Sequence, residues 1–350
     1  MANFDKRLSS INPALIAKIG QVDGFKGQWV TGAQLNPLVL GRLKKSVLVT
    51  SAGASTRIEG ARLSDEDVEK LMRGIGVNKF RDRDKQEVQG YFELLQNVFD
   101  SWRYVRFTES TIKHFHKELL KYVEKDQKHR GEYKFGDNTV EMKDAEGKVV
   151  AVVFKPTPAY LTPKEMQELT EWTAAAIKEE KYHPLLVIGN FVVEFLKIHP
   201  FQDGNGRLSR ILTNLLLLKT GYAYVPYVSH EKLVEDNKTD YYLALRKSQK
   251  TFGTKAEDIN PWLDFFLDRL KQQAQMAVEL LSAENIEKLF SPTQLKVWEY
   301  IQQAGEATPM EMSKKTGTPR PTVNQVIDKL LRLKKVERIG LGRATRYKKL

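Results

Sequence analysis

The sequence predicts a mainly α-helical protein with one β-hairpin, ending in a small basic winged helix-turn-helix domain. Three observations carry that expectation. Apolar residues recur at helical spacing over most of the first 289 residues. One stretch, at about 138 to 155, instead carries two β-rich runs around a turn. From Phe290 onward 13 Lys/Arg stand against 5 Asp/Glu, so this segment carries +8 of the chain's net +12.

The elements follow in order. The first hundred residues mix Gly/Pro-rich stretches, "VDGFKGQW" and "QLNPLVL", with helical signals. "LSDEDVEKLMRG" has Ser64 as N-cap, acids in its first turn and Gly74 after its end. "DKQEVQGYFELLQNVFDSW" and "TESTIKHFHKELLKYV" have apolar spacing near 3.6 and read as helices. "NTVEMK" and "KVVAVVFK" flank the turn "DAEG" as a hairpin, which "KPTPAYLTP" ends. Helices resume at about 163 to 180, twice within 184 to 220, at 239 to 250 and at 260 to 289. After Phe290 come a capped helix with Leu295, Val297, Trp298 and Ile301, a short helix "TPMEMSKKTG", a longer one "PRPTVNQVIDKLLRLKK", and two β runs around Gly340 and Gly342. The expected domains are an N-terminal helical region (1–100), a core (101–289) and a winged helix (290–350).

With 350 residues, 41% hydrophobic and 29% charged, the chain can bury a core of about two domains and is not wholesale disordered. It contains no cysteine, which excludes disulfides, thiolate metal sites and thiol nucleophiles and suits a reducing compartment. The opening "MANFDKRLSSINPALI" lacks an apolar signal core, and no stretch reaches the roughly 18 apolar residues of a membrane span. The expected location is the cytoplasm, with no membrane partner.

Chemistry concentrates in "HPFQDGNGRLSR", residues 199 to 210, between two strongly apolar runs. Pro200 ends the first helix near Ile198, and Gly204 and Gly206 permit a tight loop that feeds a second helix from about Gly206. Unpaired N–H groups and the dipole at that helix start favour an anion. Arg207 and Arg210, three apart, add two guanidiniums on much the same face, which describes a polyphosphate site. Asp203 is a hard oxygen ligand suited to Mg²⁺ carried by phosphates, and His199 is placed to take a proton from a hydroxyl. The stretch is not a P-loop, since Lys-Ser/Thr does not follow the second glycine, and "GNGRLS" fails the dinucleotide fingerprint at its last position. A plain helix-helix turn would need none of these residues together.

The stretch resembles the signature of the Fic family, His-x-Phe-x-Asp/Glu-Gly-Asn-Gly-Arg-x-x-Arg, at every fixed position: His199, Phe201, Asp203, Gly204, Asn205, Gly206, Arg207 and Arg210. The resemblance implies a Fic helical bundle with a β-hairpin flap over roughly residues 100 to 285. It also implies transfer of AMP from ATP to a Tyr, Thr or Ser hydroxyl of a target protein, or of the protein itself. His199 is then the general base and Asp203 the Mg²⁺ ligand. Asn205, the Gly204–Gly206 backbone and Arg207 seat the α- and β-phosphates, Leu208 and Ser209 complete the nucleotide-binding stretch, and Arg210 grips the γ-phosphate. Phe201 anchors the loop in the core. Val152, Val153, Phe154 and Lys155 form the flap, which clamps a target segment by strand addition. Tyr241 and Tyr242 are the adenine contacts implied by analogy, with packed core tyrosines as the alternative. Lys134, in "GEYK", stands where many relatives have arginine.

Relatives with an inhibitory helix carry Ser/Thr-x-x-x-Glu-Gly/Asn, and this chain has "STRIEG" at 55–60. By resemblance Ser55, Glu59 and Gly60 form a brake: Glu59 pairs with Arg210 and takes the place of the γ-phosphate. In some relatives the same site also removes AMP from the modified target. The basic tail suggests DNA through residues 290–350, with Arg320, Asn324 and Gln325 as base readers and Arg338, Arg343 and Arg346 on the backbone. A winged helix also serves dimerisation, so a second copy of the chain is a further expected partner. The rival function is a non-catalytic, nucleotide-sensing transcriptional regulator, which has no need of His199.

Overall fold

At the centre of the computed structural model lies a helical hairpin, α8 (Pro184–Ile198) and α9 (Asn205–Lys219), and most of both helices is buried. "PLLVIGNFVVEFLKI" is apolar except for the stripe Asn190, Glu194 and Lys197, which is paired with Phe4 O, Arg7 and Glu165, so the helix is stable only when surrounded. His183 caps α8 by accepting from the Leu185 N–H at 3.3 Å, and Pro184 sits where a missing N–H is harmless. The structure describes residues 4–32, 37–74, 83–138, 140–143, 149–288, 291–332, 335–340 and 345–350.

Other helices enclose this hairpin. α7 (Thr162–Lys178) packs on α8, while α5 (Arg83–Ser101) and α6 (Glu109–Leu119) pack on α9. α3 (Pro37–Ile58) lies against α5, α9 and α10 (His230–Glu235). α11 (Lys238–Gln249) packs on α8 and on α10. Earlier in the chain are α1 (Phe4–Leu8) and α2 (Pro13–Gly32), and α4 (Asp65–Met72) follows α3. Ser64 caps α4 as expected, in a reciprocal box with Asp67. "VDGFKGQW" lies inside α2, contrary to its reading as a Gly-rich interruption, because Leu15, Ile19, Val22 and Trp29 bury one helical face.

The hairpin pairs β1 (Val140–Lys143) with β2 (Val149–Phe154) antiparallel, Val140 opposite Phe154 and Lys143 opposite Val149. The expected turn at 144–147 lies outside the described residues, as do the side chains of Val152 and Val153. Residues 1–278 form one unit, into which the N-terminal hundred residues pack together with the helices around α8 and α9. α12 (Asn260–Lys288) closes that part of the chain. Among the described residues no helix is long and apolar enough to cross a membrane.

The second unit, Glu279–Leu350, contains α13 (Pro292–Ala304), α14 (Pro309–Thr316) and α15 (Arg320–Arg332). Its sheet has the order β3 (Glu306–Ala307), β5 (Arg346–Lys349), β4 (Val336–Ile339), all antiparallel. The two expected β runs are β4 and β5, and β3 is a third strand too short to show in the pattern. Val297, Trp298, Ile301, Val323, Ile327 and Leu330 form its core. Capping boxes at Ser291–Gln294 and Thr308–Glu311 start α13 and α14.

Candidate functional site

The junction between α8 and α9 is built by two backbone departures and one amide. His199 ends α8 with φ 51 and ψ 59, the left-handed region that a side chain disfavours, and Gly204 (φ 77) starts α9. Asn205 then closes the loop on itself: its Oδ1 accepts from the Phe201 N–H at 2.9 Å and its Nδ2 donates to the Phe201 carbonyl at 2.8 Å. Its amide is therefore committed to shaping the loop. Phe201, fully buried, stacks on His116 with centroids 3.8 Å apart. The first helical bond of α9 runs from Leu208 N–H to Gly204 O, so the N–H groups of Asn205, Gly206 and Arg207 precede the ladder. Leu208 faces the core, and Ser209 Oγ turns back onto Gly206 O at 2.7 Å, so neither side chain joins the cradle of free N–H groups.

Asp203 sits in a dense charge network. Its Oδ1 accepts from Gly204 N–H at 2.6 Å and from Arg207 Nη2 at 3.2 Å, while Oδ2 pairs with Arg83 Nη2. Burial pushes its carboxyl up, but Arg207, the Gly204 N–H and Arg83 outweigh this and hold it below the ordinary carboxylate value. Arg207 also pairs with Glu87 at 2.6 Å, and Arg83 with Glu87 at 2.7 Å. His116 fixes the loop from α6. Its Nδ1 accepts from Gly131 N–H at 2.8 Å, so the proton sits on Nε2, which donates to Asp203 O at 3.0 Å. No local pattern in the sequence ties Arg83, Glu87 and His116 to residues 199–210.

Ser55, Glu59 and Arg210 are brought together. Arg210 Nε donates to Ser55 Oγ at 2.8 Å, and its Nη2 donates to Ser55 O at 2.9 Å and to Glu59 Oε1 at 2.7 Å. Arg210 is almost fully buried, whereas the Glu59 side chain is 32% exposed. Glu59 and Gly60 form the turn that ends α3, with Gly60 at φ 107, where only glycine is comfortable. The Glu59 carboxylate also lies over the start of α9. A Cβ built on Gly206 would run into Glu59 Oε1 and stand 3.1 Å from its Cδ. Arg57 fixes this turn by pairing with Glu235 at 2.5 Å and Asp65 at 2.9 Å. Behind Arg210, buried Glu231 accepts from Tyr91 at 2.8 Å and Asn214 at 2.6 Å.

The two tyrosines divide. Tyr241 is buried against Trp262 and Phe265 and interacts with Arg210 and Ser209. Tyr242 is 42% exposed and donates to Ile58 O at 3.5 Å, beside the Glu59 turn. At the hairpin, the Phe154 ring meets His199 edge-on at 6.2 Å, and Lys155 is exposed.

His199 Nδ1 lies 3.4 Å from the Leu196 carbonyl, which can only accept, so Nδ1 carries the proton and Nε2 keeps its lone pair. Burial pulls the imidazole down to about 4. The Leu196 carbonyl, Glu59 and Asp203 oppose that shift, and the Lys134 charge adds to it. At neutral pH the ring is a neutral base.

The fold is that of the Fic proteins. It resembles crystal structures of a Fic family protein from Desulfovibrio desulfuricans G20 (TM-score 0.63, 24% identity, 97% of each chain). It also resembles a Fic domain containing signaling protein from Bacteroides thetaiotaomicron (TM-score 0.62, 22% identity, 75% of this chain and 98% of that one). Residues 106–217 match the Fic/DOC family model. Among curated relatives, a probable protein adenylyltransferase of Aquifex aeolicus is 26% identical over 190 residues, 53% of this chain and 55% of its own length. A protein adenylyltransferase Fic of Drosophila willistoni is 28% identical over 156 residues, 40% of this chain and 29% of its own. The chain thus spans about half the length of the first and under a third of the second.

Proposed function

We propose that the protein is a self-restrained protein adenylyltransferase, moving AMP from ATP to a Tyr, Thr or Ser hydroxyl of a target protein or of itself. One observation carries this reading above the others: an anion, the Glu59 carboxylate, already lies over the start of α9 and pairs with Arg210. A triphosphate would take the same place, its phosphates on the N–H groups of Asn205, Gly206 and Arg207 and its γ-phosphate on Arg210. His199 Nε2 accepts the hydroxyl proton, the oxygen bonds to the α-phosphorus, and the bond to pyrophosphate breaks. Arg207 and Arg210 offset charge on the departing phosphates.

Asp203 fits the demands of Mg²⁺ brought in by nucleotide, since that ion needs only one or two protein carboxylates besides phosphates. When bound, the ion would neutralise phosphate charge. Arg83, paired with Oδ2 of the same carboxylate, would compete with the ion for it.

Glu59 serves as the brake, denying Arg210 to the γ-phosphate. The same constellation supports a second reaction, hydrolysis of the modified target, in which water assisted by Glu59 attacks the phosphorus, the bond to the target oxygen breaks and AMP is released. On this reading residues 1–100 supply the brake, 101–289 the transfer core and 290–350 a winged helix. A second reading, a nucleotide-sensing DNA-binding regulator, is favoured by Arg320, Asn324 and Gln325, which are exposed near the start of α15. Incubation with labelled ATP and Mg²⁺ separates the two. Transfer predicts label on the protein, more with Glu59→Gly and none with His199→Ala. Label unchanged by loss of the imidazole would overturn the assigned base.

A further inference from the structure

His199 holds an unfavourable backbone conformation, at a cost of about 1–2 kcal/mol for a non-glycine residue, so something outside the loop must hold it there. One residue grips a backbone carbonyl of the residue before it and of the residue after it. Lys134 Nζ donates to the carbonyl of Ile198 at 3.0 Å, and the Lys134 backbone N–H donates to the carbonyl of Pro200 at 2.9 Å. Asn138 supports this grip: its Oδ1 accepts from Lys134 Nζ at 3.0 Å, and its Nδ2 donates to Phe201 O at 3.3 Å. The segment itself is tied to α6 through Gly131 N–H and His116.

Lys134 is 4% exposed and forms no ion pair among the described residues. A buried ammonium with only neutral acceptors is costly and, if it served packing alone, an apolar side chain would do better. The C-terminal end of α8 accounts for part of its stability, since the last carbonyls of a helix favour a cation. Its charge also faces the imidazole. The groups acting on His199 are Lys134, which disfavours the imidazolium, and Glu59, Asp203 and the Leu196 carbonyl, which favour it, with the Phe154 ring edge as an apolar neighbour. Those acting on Lys134 are Asp137 and Glu165 on one side and Lys197 on the other.

We propose that Lys134 is a positioning residue for the transfer reaction: it pins the two carbonyls that flank His199 and holds positive charge beside the ring, so that the imidazole keeps one orientation and one tautomer. This rests on the adenylyltransferase reading, and it explains why the lysine at this place is not a mere packing residue. Arginine can make the same two kinds of contact, whereas methionine fills the space without charge or donor.

The test uses the full chain with the Glu59→Gly change, so that turnover is measurable, and compares Lys134, Lys134→Met and Lys134→Arg. Lys134→Met is expected to lower kcat for self-labelling about tenfold or more while KM for ATP changes less than about threefold. The acid limb of its pH–rate profile should move up by about one unit, because a positive charge beside the base is gone. Lys134→Arg should restore both. In parallel, ¹⁵N-histidine NMR, with six histidines to assign, should show His199 in a single Nδ1–H tautomer and titrating low in the parent, and in mixed tautomers titrating higher in Lys134→Met. An unmoved acid limb with an unchanged His199 titration would overturn the proposal, even if kcat falls. Should Lys134→Met fail to fold, Lys134→Gln replaces it with the same criteria. If neither the parent nor Glu59→Gly labels anything, the adenylyltransferase reading fails, and the NMR titration alone then decides whether Lys134 governs the ring.

Discussion

The Glu59 carboxylate occupies the space directly above Gly206, so close that a methyl group there would collide with it. Gly206→Ala must therefore expel either Glu59 or its own side chain's neighbours, and the methyl then fills the place proposed for phosphate. Overpacking of this kind costs about 1–3 kcal/mol. Self-labelling by Gly206→Ala combined with Glu59→Gly should fall about tenfold or more below Glu59→Gly alone. Equal labelling by the two, measured with radioactive ATP, would show that nothing critical lies above Gly206.

Arg83 pairs with Oδ2 of Asp203, the carboxylate proposed to hold Mg²⁺. Its side chain is 47% exposed, so the pair is screened and contributes about 1 kcal/mol or less. Arg83→Ala should accordingly tighten divalent-ion binding about threefold to fivefold. Mn²⁺ titration in the presence of a non-hydrolysable ATP analogue, read by electron paramagnetic resonance, checks it without any turnover. Weaker binding would mean that Arg83 helps to hold the ion rather than competing with it.

Two buried imidazoles outside the reaction make stability depend on pH. Burial pulls His116 and His230 from 6.5 down to about 4. Between those values the unfolded chain binds protons that the folded chain refuses, so stability is fully present above about 6.5 and declines toward 4. Below 4 these groups cost nothing more. Each pKa unit corresponds to about 1.4 kcal/mol, so Tm from scanning calorimetry should drop steeply from pH 6.5 to 4.5. A flat profile would contradict the neutral burial of both rings.

If the second unit reads DNA, the salt response identifies how. Arg338→Ala, on the exposed edge of β4, should weaken binding uniformly across sequences and reduce the salt slope by about one. Arg320→Ala at the start of α15 should relax sequence preference at a cost of about 1–3 kcal/mol. Mobility shifts of the full chain across a salt series test both. No salt-sensitive shift would remove the regulator reading.

The heart of the site is legible in the sequence because its residues are contiguous. A loop from His199 to Arg210 announces two helix ends, two glycines and their charges in twelve letters. Its supports are not legible: Arg83 reaches Asp203 across 120 residues, His116 across 87, and Lys134 reaches Ile198 across 64. Long-range pairing of this sort leaves no periodic trace. α2 was hidden for another reason. Gly24 and Gly27 each cost a helix about 1 kcal/mol relative to alanine, and only burial of Leu15, Ile19, Val22 and Trp29 offsets it. Tyr241 and Tyr242 are adjacent in sequence and chemically alike, and only the fold separates them, burying one and exposing the other.

The backbone that carries Glu59 is riveted on two sides by Arg57, to Glu235 and to Asp65, while the carboxylate itself is a third exposed. Freeing Arg210 thus asks for rotation about the few bonds of one side chain, not for the melting of a helix. If Glu59 is the proposed brake, carboxylate and triphosphate contend for one guanidinium, and its setting follows the abundance of nucleotide by mass action, without any dedicated messenger.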